Sequence, residues 1–474
     1  MDSNSISKIE HKERFGPPLF NSFITTDFAD AQTELVTPVF TDHNELISFL
    51  RSLHKFALDR MSEEYFWPFS IPSGNILSSD IKIANFGNTN KANFKEIYRK
   101  GLSNRYGKAM QAISGVHFNF SLTESFWNFF SEGKDLRFRS NIYFRAIRNL
   151  QRYNWLILYL FGCSPIIGKE LIDNKYDFSC IGRNEHLSEF STSLRMSTMG
   201  YQAKSQSKLF ISINSLDQYI SDLKNATNTL SDKFASIDDL SSEKWKQLNA
   251  NILQVEDEYY GISRPKSSSY ENQRQISKLS NYGVDYIEFR ALDLNPFSEV
   301  GICEKDLKFM EAFLIFCILD ASPKINSSEF EETLKNTHDV SIFGRKKDLQ
   351  LERNGQSITL FDWGAEILDK MSDLFLKVNQ YQLDFEKYKK QLSNPELTLS
   401  GRFLSKKEEL DKNFSELGEI MGKEHRNSIL NQIHDDSISK IFETEAMNAE
   451  RKFTKKELMS EKPFDDYLRE FLSS

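Results

Sequence analysis

Two carboxylates near the start of the chain have a spacing that could bring them to one site. Asp27 and Glu34 are seven residues apart, and Thr25 and Thr26 could cap a helix over residues 27–36. On a continuous helix seven residues make two turns, so both carboxylates would lie on one side. Carboxylate oxygens suit a hard ion such as Mg²⁺. Alternatively, each carboxylate could form an ordinary ion pair at the surface, and the residue types and spacing alone favour that interpretation.

Two further segments alternate polar and apolar residues, which predicts strands with one chemical face. Residues 115–121 would carry a polar face formed by His117, Asn119 and Ser121. Residues 285–290 would carry one formed by Tyr286, Glu288 and Arg290. The first face could border solvent or line a cleft, and alternation alone favours solvent. Glu288 and Arg290 could bind a metal ion and a phosphoryl oxygen side by side, or form a surface ion pair.

The sequence lacks the motifs of several common catalytic sites. H-E-x-x-H, a zinc-type Cys/His cluster, G-x-S-x-G, the G-x-x-x-x-G-K-[ST] loop and the Rossmann fingerprint are all absent. Cys163 lies in an apolar run and is expected to be a packed core thiol. If the protein uses a nucleotide, its phosphates must be held in another way, and carboxylate-bound magnesium is the obvious means.

Motifs spread over nearly the whole chain point to one family. They occupy residues 23–38 (FITTDFADAQTELVTP), 98–107 (YRKGLSNRYG), 111–121 (QAISGVHFNFS), 143–149 (YFRAIRN), 159–165 (YLFGCSP), 193–197 (SLRMS), 253–258 (LQVEDE), 264–266 (RPK), 286–297 (YIEFRALDLNPF) and 394–402 (NPELTLSGR). In this order they resemble the motifs of bacterial glutamate–cysteine ligase (γ-glutamylcysteine synthetase), in the type found in enteric and related bacteria. Chance or a shared fold alone does not explain a match of this extent.

This resemblance implies both a fold and a reaction. The fold would be α+β, like the glutamine synthetase catalytic domain: a curved, mostly antiparallel sheet forming a funnel, flanked by helices. The reaction would use ATP and Mg²⁺ (or Mn²⁺) to join the γ-carboxylate of L-glutamate, through an acyl phosphate, to L-cysteine. The products would be γ-glutamylcysteine, ADP and phosphate, in the first step of glutathione biosynthesis.

The resemblance also implies roles for particular residues. The magnesium ligands would be Asp27, Glu34, His117 and Glu288. Arg99 and Arg290 would be the cations over the transferred phosphoryl group, where a guanidinium fork suits phosphate better than lysine does. Arg195 would hold a substrate carboxylate. The remaining substrate-binding residues, any of which could instead be plain core, would form the cysteine pocket: Phe28, Tyr98, Leu102, Gln111, Ile113, Tyr201 and Tyr260.

One departure from the family concerns the start of the chain. The family begins with a G-[IL]-E-x-E strand whose two glutamates bind magnesium, but here only 23 residues precede Ile24, and Glu10 and Glu13 lack that spacing. Either the start codon is assigned too late, or the chain is a truncated, non-catalytic homologue that binds nucleotide or amino acid or acts through a partner. The other ligands are present, which favours a late start codon. The chain as written is expected to be less stable and to have little or no ligase activity.

The elements that must position these residues divide the sequence into two parts. Residues 1–360 contain most predicted strands and would form the catalytic domain, while residues 361–474 show helical spacing of apolar residues and would pack on it. A long amphipathic helix is predicted over residues 141–160, with arginines on a solvated face: Arg145, Arg148 and Arg152. A second, more apolar helix is predicted over residues 307–321.

Composition limits the class of protein. The chain has 474 residues, of which 39% are hydrophobic and 27% are charged, and its formal net charge is −8. These values are typical of a globular protein and argue against broad nucleic-acid binding or a basic membrane anchor. Its most apolar stretch, residues 155–163, is far too short to span a bilayer. Four cysteines in a chain of this length favour a reduced cytoplasm. A cytoplasmic protein is therefore expected. A monomer is expected as well.

Overall fold

The computed structural model describes residues 6–131, 133–171, 179–182, 185–200, 206, 209–237, 245–269, 273–375, 383–432 and 436–473. In these ranges the strands are β1 (Ile24–Thr26), β2 (Thr33–Leu35), β3 (Val116–Phe120), β4 (Ile166–Gly168), β5 (Ser179–Gly182), β6 (Glu185–Leu187), β7 (Ser263–Lys266), β8 (Tyr286–Leu292), β9 (Gln350–Arg353) and β10 (Gln356–Thr359). They form two hairpins, β1–β2 and β9–β10, and two three-stranded sheets, β3–β8–β7 and β4–β6–β5, all antiparallel.

Helices make up most of the remaining regular structure. They are α1 (His11–Phe15), α2 (His43–Leu58), α3 (Asn90–Tyr106), α4 (Lys108–Gln111), α5 (Glu124–Asn128), α6 (Leu136–Phe161), α7 (Leu216–Asn228), α8 (Asp232–Ala235), α9 (Gln275–Tyr282), α10 (Glu304–Leu319), α11 (Ser327–Phe343), α12 (Leu360–Phe375), α13 (Phe385–Ser393), α14 (Leu399–Glu409), α15 (Phe414–Asn431), α16 (Asp436–Glu457) and α17 (Phe464–Ser473). The mixture of helices and antiparallel sheets confirms the predicted α+β class. None of the described helices combines the length and apolar character needed to cross a membrane.

The sheet β3–β8–β7 confirms both strands predicted from alternation. On β8, Ile287 and Phe289 are fully buried, while Glu288 and Arg290 on the opposite face are only partly buried. Asn119 of β3 lies opposite Glu288 in the sheet register. A β-branched or aromatic residue at every second position favours this half-buried pleated surface, because one face packs while the other stays polar.

The segment that follows Thr26 is not a helix, so that prediction was wrong. Residues 24–35 form the β1–β2 hairpin, in which Thr25 lies opposite Glu34 and the Asp27 N–H donates to the Gln32 carbonyl at 3.0 Å. The predicted capping threonine therefore pairs as a strand residue. Ile24, Thr25 and Thr26 are β-branched and favour an extended backbone. Cross-strand pairing with residues 33–35 stabilises that conformation over the helix predicted for residues 27–36.

Helix α6 is the predicted amphipathic helix, but its arginines do not form a solvated face. Arg148 and Arg152 are each only 8% exposed. Arg148 donates to the Ser322 carbonyl at 3.1 Å, and Arg152 forms an ion pair with Glu329 at 2.5 Å. These guanidiniums fix the connection between α10 and α11, because its carbonyls and the Glu329 carboxylate accept hydrogen bonds from them.

The main hydrophobic core takes side chains from both predicted parts of the chain. Trp155 of α6 packs against Trp363 of α12 with ring centroids 4.9 Å apart, and Phe442 of α16 packs against Phe49 of α2 at 5.2 Å. The predicted helix over residues 307–321 corresponds to α10, and helices dominate the described residues beyond 360. The hairpin β9–β10, just before that boundary, was not predicted. Division of the chain at residue 360 stays a prediction.

Candidate functional site

The hairpin β1–β2 places two carboxylates together. Asp27 follows β1 and Glu34 lies within β2. Burial, followed by the negative charge of Asp27, raises the pKa of Glu34 to about 7. Both residues are nevertheless reached by solvent. Side chains that solvent reaches although protein surrounds them closely lie in a recess, so this pair faces a concave surface.

Helix α3 brings two cations to the same carboxylates. Arg99 Nε donates to the backbone carbonyl of Asp27 at 2.6 Å, and its guanidinium stacks over Phe86 at 4.5 Å. Lys95, one turn earlier, has its Nζ 5.1 Å from the same ring. Burial, with the charges of Arg99 and Lys91, lowers the pKa of Lys95 to about 8. Lys95 was not predicted, although its spacing of four residues from Arg99 was a usable signal.

The sheet β3–β8–β7 supplies the opposite side of the site. Arg290 Nη1 donates to Glu288 Oε2 at 2.8 Å, and His117 Nδ1 lies 3.9 Å from Glu288 Oε1. His117 sits at a bulge between Val116 and Phe118, which alters the direction of its side chain relative to a regular strand. The polar face of β3, which alternation alone assigned to solvent, therefore places His117 beside the charged side chain of Glu288.

Charges on this sheet control its ionisation states. Burial opposes ionisation of Glu288, but Arg290, Lys266 and Arg264 together lower its pKa. Burial, followed by the charge of Arg290, lowers the pKa of His117 well below its usual value. The carboxylate is therefore charged and the imidazole neutral near pH 7, the forms in which both groups bind metal ions.

Arg195 lies behind this sheet. It is 1% exposed, donates from Nη2 to the Arg290 carbonyl at 2.7 Å, and has Nη1 3.6 Å from Asp293 Oδ1. A Cβ placed on Gly115 would be 2.3 Å from Nη2, so the guanidinium occupies space that only glycine leaves open. These contacts tie β8 to the segment that precedes β3. Its role toward a substrate carboxylate stays a prediction.

The predicted cysteine-pocket residues fall into neighbouring groups. Phe28, Tyr98 and Leu102 share a small apolar cluster, whereas Ile113 packs against a different one. Gln111 Nε2 donates to the Tyr260 hydroxyl at 2.7 Å. Tyr201 lies outside the described residues.

A polar network that was not predicted supports Tyr260. Gln206 accepts the Tyr260 N–H at 3.0 Å and donates to the Tyr106 hydroxyl at 3.0 Å. Tyr106 in turn donates to Glu258 Oε1 at 2.7 Å, and its ring packs on that of Tyr260 with centroids 5.5 Å apart. Nothing in the sequence pairs these residues with one another, so only the tertiary structure identifies this network.

Arg290 links the two halves of the site. Its positive charge acts on the titration of Asp27 and Glu34 as well as on that of His117 and Glu288. The carboxylate-rich donor set suits a hard divalent ion, and a cation would relieve the repulsion between Asp27 and Glu34. Within the described ranges, no three His, Cys, Asp or Glu side chains already stand close enough to hold one ion. The chemistry of these side chains therefore fits a magnesium-type ion. In the structure they stand as two separate pairs, Asp27 with Glu34 and His117 with Glu288.

Comparison with known proteins identifies the family. The glutamate–cysteine ligase family profile matches residues 1–340. The chain belongs to the glutamate–cysteine ligase family. Its relatives include the glutamate–cysteine ligase of Pseudoalteromonas translucida, 39% identical over 85% of this chain and 79% of that protein. Another is the glutamate–cysteine ligase of Vibrio parahaemolyticus, 37% identical over 98% of this chain and 91% of that protein. Glutamate–cysteine ligases are carbon–nitrogen ligases, so the chain is an enzyme of that class.

Solved structures agree with this assignment. A glutamate–cysteine ligase from Francisella tularensis in complex with AMP superimposes with a TM-score of 0.94 and 30% identity, covering 100% of this chain and 95% of that one. A bifunctional glutathione synthetase from Pasteurella multocida gives a TM-score of 0.70 at 23% identity, over 91% of this chain and 51% of that one. The second likeness shows a shared fold only.

Proposed function

We propose that this protein uses ATP to join the γ-carboxylate of L-glutamate to the amine of L-cysteine, through a γ-glutamyl phosphate. The observation that carries the proposal is the gathering of Arg99, Lys95 and Arg290 against the carboxylates of Asp27, Glu34 and Glu288. Phosphoryl transfer requires stabilisation of charge on the moving group and little covalent chemistry from the protein. Membership of the glutamate–cysteine ligase family supports this choice among nucleotide-dependent reactions.

The cations have distinct tasks in this reaction. Arg99 and Arg290 would contact the oxygens of the transferred phosphoryl group, because a planar guanidinium can donate to two of them at once. Lys95 would add a point charge beside Arg99. Mg²⁺ or Mn²⁺, held by Asp27, Glu34, His117 and Glu288, would supply neutralisation of phosphate charge. A neutral His117 is available as a ligand because its pKa is lowered.

The acceptor would lie against the apolar cluster and the tyrosine network. Phe28 and Leu102 are buried and would contact the cysteine side chain, while Gln111 and Tyr260 would orient its polar groups. Arg195 would hold a substrate carboxylate. The amine then attacks the acyl carbon of γ-glutamyl phosphate, the new C–N bond forms and phosphate leaves. Excluding water from this step protects the reactive acyl phosphate from hydrolysis.

The proposal extends to the state of the protein in the cell. We infer a cytoplasmic monomer, because the candidate site is built from segments of one chain. Its thiols are not cross-linked in the described residues, where Cys163 and Cys317 are buried core side chains. Sedimentation of the purified protein checks the monomer: a mass near 55.1 kDa supports it, and twice that value contradicts it.

An omission assay tests the reaction. Purified protein is incubated with ATP, Mg²⁺, glutamate and cysteine, and both ADP and γ-glutamylcysteine are measured as each component is left out. We expect dipeptide only in the complete mixture, a result that would also overturn the low ligase activity expected from the sequence alone. ADP release that needs neither amino acid, or the absence of dipeptide in the complete mixture, would contradict the proposal and favour a binding protein.

A further inference from the structure

Residues 457–472, near the end of the chain, contact the helix that carries the cations and the segment just before it. The C-terminal clamp consists of the end of α16 and all of α17, with contacts made by Glu457, Glu461, Lys462, Leu468, Phe471 and Leu472. Nearly 370 residues separate Glu457 from its partner Asn88. These contacts fall on the beginning and one side of α3, whereas Lys95 and Arg99 belong to the other side.

The beginning of α3 is held by two carboxylates of the clamp. Glu457 Oε1 accepts the Asn88 N–H at 2.7 Å, and Glu461 accepts the Asn90 N–H. The Asn90 side chain also donates to the Lys462 carbonyl at 2.8 Å. The first N–H groups of a helix have no partner within it, and the positive end of the helix dipole favours nearby carboxylates. The clamp thus fixes where α3 starts.

The side of α3 is held by apolar packing. Phe471 packs on Phe94 with ring centroids 4.7 Å apart, and Leu468 shares a buried cluster with Ile97. Tyr98, a predicted pocket residue, belongs both to this cluster and to the one that contains Phe28. Movement of α17 would therefore be passed directly to the site face of α3.

The clamp also fixes the ring on which both cations rest. Gly87 follows Phe86, has a φ of +100°, and has no room for a Cβ, which would lie 2.6 Å from Phe453 and 2.8 Å from Glu457 Oε1. The backbone after Phe86 is thus pressed against the end of α16. Since Arg99 and Lys95 both lie over Phe86, the clamp holds the platform as well as the helix.

We infer that the C-terminal clamp, and Glu461 in particular, positions Arg99 and Lys95 for phosphoryl transfer. Glu461 is a positioning residue, since it acts through α3 and touches neither cation. This inference rests on the proposed function. Small displacements of groups that orient reacting atoms cost rate out of proportion to their cost in stability.

Four variants of the full chain test the clamp. Glu461→Ala removes the acceptor of the Asn90 N–H, and Glu461→Gln keeps an acceptor oxygen. Asp466→Ala is the control, because it removes a half-exposed acid of α17 whose ion pair is with Arg469 of the same helix. We expect Glu461→Ala to lower kcat/KM for ATP by about tenfold or more. Glu461→Gln should restore most of the loss, and Asp466→Ala should match the wild type. Phe471→Ala, which disturbs a separate contact, should act in the same direction.

Hydrogen exchange of the α3 amides supplies a readout that does not depend on ligase activity. Exchange at the start of α3 should accelerate in Glu461→Ala and return toward the wild-type rate in Glu461→Gln. If wild-type protein makes no dipeptide, the proposed function fails, while this exchange pattern still decides whether the clamp holds α3. A lower Tm for Glu461→Ala, with unchanged kcat/KM well below that Tm and unchanged α3 exchange, would overturn the inference.

Discussion

At the scale of single residues, Arg290 occupies the position where the two halves of the site meet. Its guanidinium pairs with Glu288, its charge acts on Asp27 and Glu34, and its carbonyl accepts a hydrogen bond from Arg195. Through these contacts one side chain is coupled both to the candidate metal ligands and to the buried support of the sheet. Its charge and its planar shape can be separated by substitution.

Arg290→Lys keeps the charge but loses the two-pronged donor geometry. We expect kcat to fall by about 10²–10³, or ~3–4 kcal/mol of transition-state stabilisation, while the Tm changes little. Arg353→Lys is the matched control, because Arg353 forms a partly buried ion pair with Glu366, and both residues are remote in sequence from the site. Turnover of Arg290→Lys within a few-fold of that control would remove Arg290 from phosphoryl transfer.

Substitution of Lys95 tests whether a residue identified only from the structure takes part in nucleotide use. Lys95→Met preserves the length of the side chain and removes its charge, so kcat/KM for ATP should fall by about tenfold with little change in stability. Lys100→Met, on a half-exposed lysine of α3 that pairs with Glu96, should leave kcat/KM near the wild-type value. Equal behaviour of the two variants would show that Lys95 has no role in nucleotide use.

The site residues predicted from sequence alone share a property. Asp27, Glu34, His117, Glu288 and Arg290 lie within long family motifs, so the resemblance supplied them together. The Tyr106–Gln206–Glu258 network was missed because nothing in its residue types or spacing separates it from an ordinary core. Lys95 was missed although its spacing of four residues from Arg99 was a usable signal. What defines the network is burial beside partners more than 50 residues away, which a linear pattern does not contain.

At the scale of secondary-structure elements, the prediction of strands succeeded where one face is apolar, and it failed where the strand is short. The alternation in β3 and β8 is long enough to exclude a helix. Strands β1 and β2 have three residues each, and their pairing is decided by tertiary contacts such as the bridge between Ala29 and Ile83. Local propensity is a weak guide over so few residues.

Gly115 shows how one small residue joins two elements. Gly115→Ala would place a Cβ 2.3 Å from Arg195 Nη2, and Arg195 is held by the Arg290 carbonyl and Asp293, so it cannot move freely. Overpacking of this kind costs about 1–3 kcal/mol. We expect the midpoint of urea unfolding to fall accordingly. A midpoint equal to that of the wild type would show that Arg195 has another position open to it.

Helix α2 gives the protein a pH-dependent stability. His54 Nδ1 contacts the Leu50 carbonyl at 2.8 Å, and burial lowers the pKa of His54 to about 4, with His425 and Glu299 nearby. Because the unfolded chain binds the proton with a pKa near 6.5, this stabilisation is complete above that pH and is lost as the pH falls toward 4. Between pH 8 and pH 5 the change should be about 1–2 kcal/mol.

Replacing His54 separates its effect from that of other acid-sensitive groups. In His54→Asn, unfolding free energies measured at pH 8 and pH 5 should differ by about 1–2 kcal/mol less than in the wild type. An unchanged difference would mean that His54 is protonated in the folded protein at pH 5.

At the scale of the whole molecule, the site is assembled from segments that lie far apart in the sequence. The hairpin β1–β2, helix α3 and the sheet β3–β8–β7 contribute its charged groups, and the C-terminal clamp supports α3 from the end of the chain. A shared core that includes Trp155, Trp363 and Phe442 joins the two predicted parts. The helical character of the C-terminal part was predictable from its periodicity, whereas its contact with the site was not, because periodicity does not specify a packing partner.

The path of one oxygen atom tests most directly whether glutamate is activated as an acyl phosphate. The protein is supplied with ATP, Mg²⁺, cysteine and L-glutamate labelled with ¹⁸O in its γ-carboxylate, and the released phosphate is analysed by mass spectrometry. Attack of the γ-carboxylate on ATP, followed by C–O cleavage when the cysteine amine attacks, places one ¹⁸O atom in each phosphate formed with dipeptide. We predict that stoichiometry. Dipeptide formed together with unlabelled phosphate would contradict the acyl phosphate route.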